Sequence, residues 1–326
     1  MTLKPRPILR GLFAVLIAAA LGCSGEALKP VIGVIPKGAT HVFWKSVEAG
    51  ALKAAGEFGV EVVWTAPRRE DDRSQQMGLV DTLVLRKVNA ICLAPLDSIA
   101  LREKAEKATQ AGIPVVIFDS PLAKPEGVCV GYVGTDNYAA GKLGAQGLAR
   151  SLGGKGRILL LRYQAGSAST EAREQGFLDG IKGFAGIEVV SDNQYGGATV
   201  ASALEKAKSL LLRFSGDRTP DGVFCPNQST TYGMLQALQQ KDLAGKVKFI
   251  GFDPTASLIE SLRKGDLTGI VSQDPFRMGY LAVKVATDKL AARDVAAVTD
   301  TGCAYVTAEN VNNAEIQAVI QPQLGN

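Results

Sequence analysis

The chain is predicted to fold as an α/β protein of two lobes, each a doubly wound parallel sheet. Three observations predict this. Short apolar runs alternate with segments of helical periodicity along most of the 326 residues, which is the signature of parallel strands joined by crossover helices. The alternation runs to residue 119 and then restarts at residue 157. No low-complexity stretch separates the two runs, so ordered crossings must join the lobes.

The elements follow in order. VIGVIP (31–36) is an apolar run ended by proline and reads as a buried strand. Phe43, Val47, Ala51, Ala54 and Phe58 recur on one helical face across 43–58. VEVVWTA (60–66) is the next strand, and 71–87 a helix with Met77, Val80, Leu83 and Val84 inward. AICLAP (90–95) and IPVVIFD (113–119) are strands around a helix at 98–111. The second run has strands at 157–163, 187–193, 222–227 and 247–253, each followed by a helix, at 169–184, 199–213, 230–241 and 255–264. GIVSQD (269–274) is a further strand.

Residues 1–22 read as a signal peptide. Lys4, Arg6 and Arg10 precede an apolar run from Gly11 to Gly22, too short to span a hydrocarbon core of about 30 Å. Without this segment the net charge falls from +4 to +1. A near-neutral chain gives no basic face for nucleic acid. Besides Cys23 there are four cysteines, in no CxxC spacing, and His41 is the sole histidine. That excludes a Cys/His zinc site, and no other cofactor is expected. Cys92 and Cys225 sit in apolar runs and read as buried. Cys129 and Cys303 sit in the short strand-like segments GVCVGYVG and TGCAYVT, and export would permit a bridge between them without requiring one.

Ligands of open parallel sheets bind beyond the carboxyl ends of the strands. Here those ends carry Lys37, Asp119, Asn227, Asp253 and Gln273, side chains suited to hydroxyl groups. Phe43 and Trp44 open the first helix, where aromatic rings can lie against the apolar face of a sugar. Trp44 falls off the helix's core face, which favours a pocket role. His41 reads as a hydrogen-bonding group at the pocket rim rather than a base, because there is no second histidine and no Asp recognisably spaced to orient it in a triad. The charged run RREDDR (68–73) reads as a solvated loop before a helix. Gly153-Gly154-Lys155-Gly156 precedes a strand and lacks phosphate-loop spacing, so it reads as a turn.

At these residues the chain resembles the periplasmic binding proteins of sugar ABC importers, the ribose- and galactose-binding type. The resemblance runs through residues 30–290 and is carried by GTDNYAAGKLGAQGLA (134–149), EAREQGF (171–177), VFCPNQSTTYGMLQAL (223–238), FIGFDPT (249–255) and GIVSQDP (269–275). It implies a type I periplasmic binding protein fold with a three-crossing hinge near 135–137, 273–275 and 297–303. The lobes would then be 30–136 plus 274–300 and 137–273 plus 301–326. It implies that Asp119, Asn227, Asp253 and Gln273 bind sugar hydroxyls and that Phe43 and Trp44 line the ring. Ser120 stands where ribose binders have Arg, Ala94 where they have Asn, and Glu171 where they have a sugar-binding Arg, which makes Glu171 a candidate ligand residue. Arg173 matches a position that is usually structural. Lys37 is gained, and a lysine does not reproduce an arginine fork. The IPK start, Phe118-Asp119-Ser120 and Tyr195–Thr199 are also similar to the binding proteins for rhamnose and for the furanosyl autoinducer, whose Asp–Gln pair is not reproduced around Glu171-Ala172.

Ala20-Leu21-Gly22-Cys23 resembles the bacterial lipoprotein signal, with Ala20 where Leu is preferred. The implied protein is a monomeric, extracytoplasmic lipoprotein anchored through Cys23 on a 23–29 tether, delivering a monosaccharide-like ligand to an ABC permease. A sensory or chemotaxis component, or an autoinducer-binding protein, is the alternative within the same fold. Repressors of the lactose-repressor type share the fold but begin with a helix-turn-helix, where this chain has a signal. Asp119 and Asp253 face one another across the expected cleft, and a glycosidase needs two carboxylates at a set separation, so hydrolysis stands only as a remote reading.

Overall fold

The apolar runs form strands and the periodic segments form helices, in the predicted alternation. The computed structural model describes residues 1, 2 and 28–324, with side chains to residue 321. The signal segment, the lipidation candidate Cys23 and most of the 23–29 tether lie outside the described residues. The order is β1 (Val31–Ile35), α1 (Val42–Phe58), β2 (Glu61–Trp64), α2 (Arg73–Leu85), β3 (Ala90–Leu93), α3 (Ala100–Gln110), β4 (Val115–Phe118) and β5 (Gly131–Gly134). Then come α4 (Asn137–Ser151), β6 (Lys155–Arg162), α5 (Ala168–Ile181), β7 (Gly186–Tyr195), α6 (Val200–Arg213), β8 (Gly222–Phe224), α7 (Gln228–Gln240), β9 (Lys248–Phe252), α8 (Ala256–Lys264) and β10 (Gly269–Gln273). The chain ends with α9 (Pro275–Leu290), β11 (Val298–Asp300), β12 (Cys303–Val306) and α10 (Ala314–Leu324).

Two six-stranded sheets result, in the orders β11-β5-β4-β3-β1-β2 and β12-β10-β9-β8-β6-β7. The first is parallel throughout. The second is parallel except for β12, which runs against β10. Alternate strand residues feed separate cores on the two faces of each sheet. Ile32, Val34, Cys92 and Phe118 enter one cluster of the first sheet, while Ile35, Ile91, Leu93 and Ile117 enter the other. Leu159 and Val223 face one side of the second sheet, and Ile158, Leu160 and Phe224 the opposite side. Burial on both faces explains why these strands read as continuous apolar runs.

The chain passes between the sheets after β5, after β10 and between β11 and β12. The first and third passages lie side by side. Thr301 N donates to Gly134 O at 3.0 Å, and the Thr135 and Thr301 hydroxyls are 3.3 Å apart. The same packing device recurs in each lobe. A Cβ on Gly50 of α1 would overlap the Phe276 carbonyl of α9, and one on Gly141 of α4 would overlap the Arg173 carbonyl of α5. Glycine therefore lets each helix pair approach to backbone contact.

Helices α4, α9 and α10 were not assigned from periodicity. α4 and α9 nonetheless bury one face each, with Ala140, Gly144 and Leu148 inward on α4 and Met278, Ala282 and Val285 inward on α9. The segment around Cys129 is a correction. Only Gly131–Gly134 forms a strand there, and Cys129 lies half-buried in the loop before it. The Cys129 and Cys303 thiols are both free, and Cys92 and Cys225 are fully buried. Among the described residues no helix is long and apolar enough to cross a membrane.

Candidate ligand-binding site

The carboxyl ends of β1 and β4 place Lys37 and Asp119 together. Lys37 Nζ lies 2.7 Å from Asp119 Oδ2 and donates to Ser169 Oγ at 2.9 Å and Ser167 Oγ at 3.3 Å. Three partners match the three protons of an ammonium group, and two of them belong to the opposite lobe. Asp119 has a φ of 61°, the left-handed region that Asp tolerates better than most residues.

His41 is the N-cap of α1 but does not cap it with its side chain. Its Nδ1 instead lies 2.6 Å from Glu70 Oε1. Phe43 and Trp44 follow in the first turn, packed edge to face with centroids 4.9 Å apart. Trp44 also meets Phe118 edge-on and donates from Nε1 to Glu70 Oε1 at 2.6 Å. Burial alone would raise the Glu70 pKa, but the His41 charge and the bonds from His41, Tyr163 and Trp44 outweigh it, and the carboxyl is held at about 2. For His41, burial works downward, yet the Glu70 charge and hydrogen bond win and the imidazole pKa is raised.

The second lobe supplies the other wall. Arg173, on α5, is 2% exposed. Its Nε donates to Asn137 Oδ1 at 2.7 Å and its Nη1 to Pro226 O at 2.9 Å, and the guanidinium lies over the Phe252 ring. Its Nη2 is buried without a hydrogen-bond partner in the protein. Asn227 ends the β8 segment and caps α7, accepting from Thr230 N at 3.2 Å. Asp253, after β9, has a φ of 62°. It accepts from Gln273 Nε2 at 2.7 Å and from Gln228 N at 3.2 Å. Burial raises its pKa, against the charge of Arg173 and the bond from Gln273.

Side chains from both lobes thus surround one cavity. Lys37, His41, Phe43, Trp44, Glu70, Asp119, Tyr163, Ser169, Thr170, Arg173, Asn227, Asp253 and Gln273 line it, and it measures about 30 Å³ to the centres of water-sized spheres. A family model for the periplasmic binding protein domain matches residues 32–294. The chain belongs to the periplasmic binding protein family. A D-allose-binding periplasmic protein of Escherichia coli (strain K12) is 28% identical to it over 261 residues, 78% of this chain and 83% of that protein. An ABC transporter solute binding protein from Agrobacterium vitis with bound D-fucose superposes with a TM-score of 0.85 at 35% identity, covering 89% of this chain and 99% of that one. A carbohydrate transporter solute binding protein from Agrobacterium radiobacter in complex with D-arabinose does so with a TM-score of 0.85 at 30% identity, over 90% and 100% of the two chains.

In this binding protein the structure brings eight of the nine sequence-predicted residues, Lys37, His41, Phe43, Trp44, Asp119, Asn227, Asp253 and Gln273, to one cavity. Glu171 is the correction. It is exposed, and its Oε1 accepts from Gly166 N at 2.7 Å. On a helix of 3.6 residues per turn, Thr170 and Arg173 share a face and Glu171 turns about 100° away from Thr170. The guanidinium in the cavity comes from Arg173, the position the resemblance assigns to structure. Glu70 is the second correction. It sits inside RREDDR, yet it is 4% exposed. Tyr163, Ser169 and Thr170 also line the cavity. Tyr163 directly follows β6, so strand-end position was the available signal for it. Nothing in the charged run marks Glu70 as the acid that turns inward.

Proposed function

We propose that this protein captures a neutral, monosaccharide-sized ligand between its lobes and delivers it to an ABC permease. The observation that carries the reading is one cavity lined from both lobes, with three basic side chains (Lys37, His41, Arg173) set against three acids (Glu70, Asp119, Asp253). Balanced charge of this kind favours hydroxyl groups over a charged ligand, because an added anion would leave an acid uncompensated at low dielectric. Phe43 and Trp44 would face the apolar side of a sugar ring. Asp119, Asn227, Asp253, Gln273 and Arg173 Nη2 would bond its hydroxyls. A ligand touching both lobes stabilises the closed arrangement, since only there are both sets of contacts made. Sugars in the named relatives support the ligand class.

Calorimetry against D-allose, D-ribose, D-arabinose and D-fucose tests this, with D-glucuronate as the charged control. At least one neutral sugar should bind and raise the melting temperature by mass action, and the uronate should not. Tight binding of the uronate and of no neutral sugar would sink the reading. The N-terminal pattern supports export and a lipid anchor on Cys23. In cells, Cys23→Ser should move the protein from the membrane fraction to the soluble fraction. A variant that stays with the membrane rules out that anchor.

A further inference from the structure

Glu70 differs from the other acids of the cavity in what it holds. Its Oε1 meets both Trp44 Nε1 and His41 Nδ1 at 2.6 Å. Its Oε2 accepts from the Tyr163 hydroxyl at 2.6 Å, and its backbone carbonyl accepts from Gln164 Nε2 at 2.8 Å. Trp44 and His41 sit at the start of α1 in the first lobe. Tyr163 and Gln164 follow β6 in the second. One buried carboxylate therefore fixes the aromatic wall and also spans the cleft. The Ala198 backbone, in the second lobe, also favours the protonated form of His41.

We propose that Glu70 is the positioning residue of this site: it sets Trp44 and His41 in the ligand-facing wall and locks that wall to Tyr163 when the lobes meet. Its effect on affinity rests on the capture reading above; its hold on His41 does not. The carboxylate is suited to this task. Two oxygens accept three donors, and its charge favours each of those bonds over a neutral acceptor. The charged groups around His41 are Glu70 on its own lobe and Asp253 on the other, with Lys37, Asp119 and Arg173 elsewhere in the cavity. Without the Glu70 charge, burial is the largest remaining influence on the imidazole.

His41 is the sole histidine of the chain, so its imidazole resonances need no assignment. In ligand-free protein, His41 should titrate above the ordinary value in the wild type and lower in Glu70→Gln than in the wild type. A sugar that binds the wild type should bind Glu70→Gln about tenfold or more weakly, and Tyr163→Phe less severely weakened. The double variant should be no weaker than Glu70→Gln alone, because both substitutions break one lock. A purely structural role would lower the melting temperature and leave the titration and the affinity in place, and that result overturns the proposal. Additive losses in the double variant also overturn it. If no sugar binds the wild type, the capture reading falls, while the His41 titration still decides what Glu70 holds. Should Glu70→Gln fail to fold, Tyr163→Phe keeps the charge pair and removes only the contact across the cleft. Unchanged affinity in that variant overturns the lock.

Discussion

Asp119 and Asp253 occupy the same place in the two lobes and have been put to different use. Each follows the strand third from the edge, β4 or β9. Each has a left-handed backbone, with φ of 61° and 62°. Each donates its N–H to the next strand, at Val133 O and Val271 O, over 3.0 Å. The backbone solution is duplicated. The partners are not. Asp119 is paired directly with Lys37. Asp253 is held by an amide and a backbone N–H, and burial raises its pKa. A duplicated scaffold thus keeps the strand-end geometry while the neighbouring side chains, Lys37 in one lobe and Gln273 in the other, decide whether the carboxylate is ion-paired or merely hydrogen-bonded.

Isosteric substitution breaks this comparison most sharply. Asparagine tolerates the left-handed backbone, whereas alanine would add strain at both positions. Asp119→Asn leaves the Lys37 ammonium buried without its counter-charge and should cost about 4 kcal/mol of unfolding free energy. Asp253→Asn loses one hydrogen bond and removes a charge that burial disfavours, so it should cost about 1 kcal/mol or less. Denaturant unfolding at neutral pH measures both. Equal losses would mean that the Lys37 pair contributes no more than the amide contact, and the two lobes would then be energetically alike.

The strand-end residues were legible because position on a parallel sheet constrains function. Lys37, Asp119, Asn227, Asp253 and Gln273 all lie where apolar runs stop, and the eye needs only the run to find them. The helix-borne residues were harder. Arg173 and Glu171 are two positions apart, and which one faces inward depends on the rotation of α5. The contact of Gly141 and Arg173 backbones sets that rotation, and a contact between helices distant in sequence leaves no mark in local periodicity. Glu70 was hidden for another reason. A run of mixed charges reads as solvated unless a buried histidine, tryptophan and tyrosine converge on one of its members. Those three come from α1 and from the end of β6, so only the closed tertiary arrangement reveals them.

The buried glutamates extend the comparison of the lobes to pH, with a smaller expected effect. Glu70 of the first lobe and Glu174 of the second are 4% and 1% exposed. Their shifts are opposite. Glu70 falls from 4.5 to about 2 because His41 and two other donors overcome burial. Glu174 rises from 4.5 to about 7 because burial outweighs the Tyr163 N–H and the Arg162 guanidinium 2.7 Å away. The Glu70 contribution is therefore present above pH 4.5 and lost as the pH falls toward 2, about 3 kcal/mol in all. His41 is charged in both folded and unfolded chains through that window, so it does not offset the loss. Glu174 acts in the opposite sense. Its native form keeps a proton that the unfolded chain has released, so stability declines as the pH rises from 4.5 through 7. Glu70→Gln should flatten the limb below pH 4.5, and it should also change the profile around pH 6.5, because His41 no longer keeps its raised pKa there. Glu174→Gln should lessen the decline between pH 4.5 and 7, to which the raised Asp253 and His41 also contribute, and leave the acid limb intact. Unfolding free energies measured at intervals from pH 2 to 8 separate the two. An acid limb that persists in Glu70→Gln would assign the acid sensitivity to other carboxylates. The contrast between a lobe that stabilises its buried charge and one that pays to hold it would then disappear.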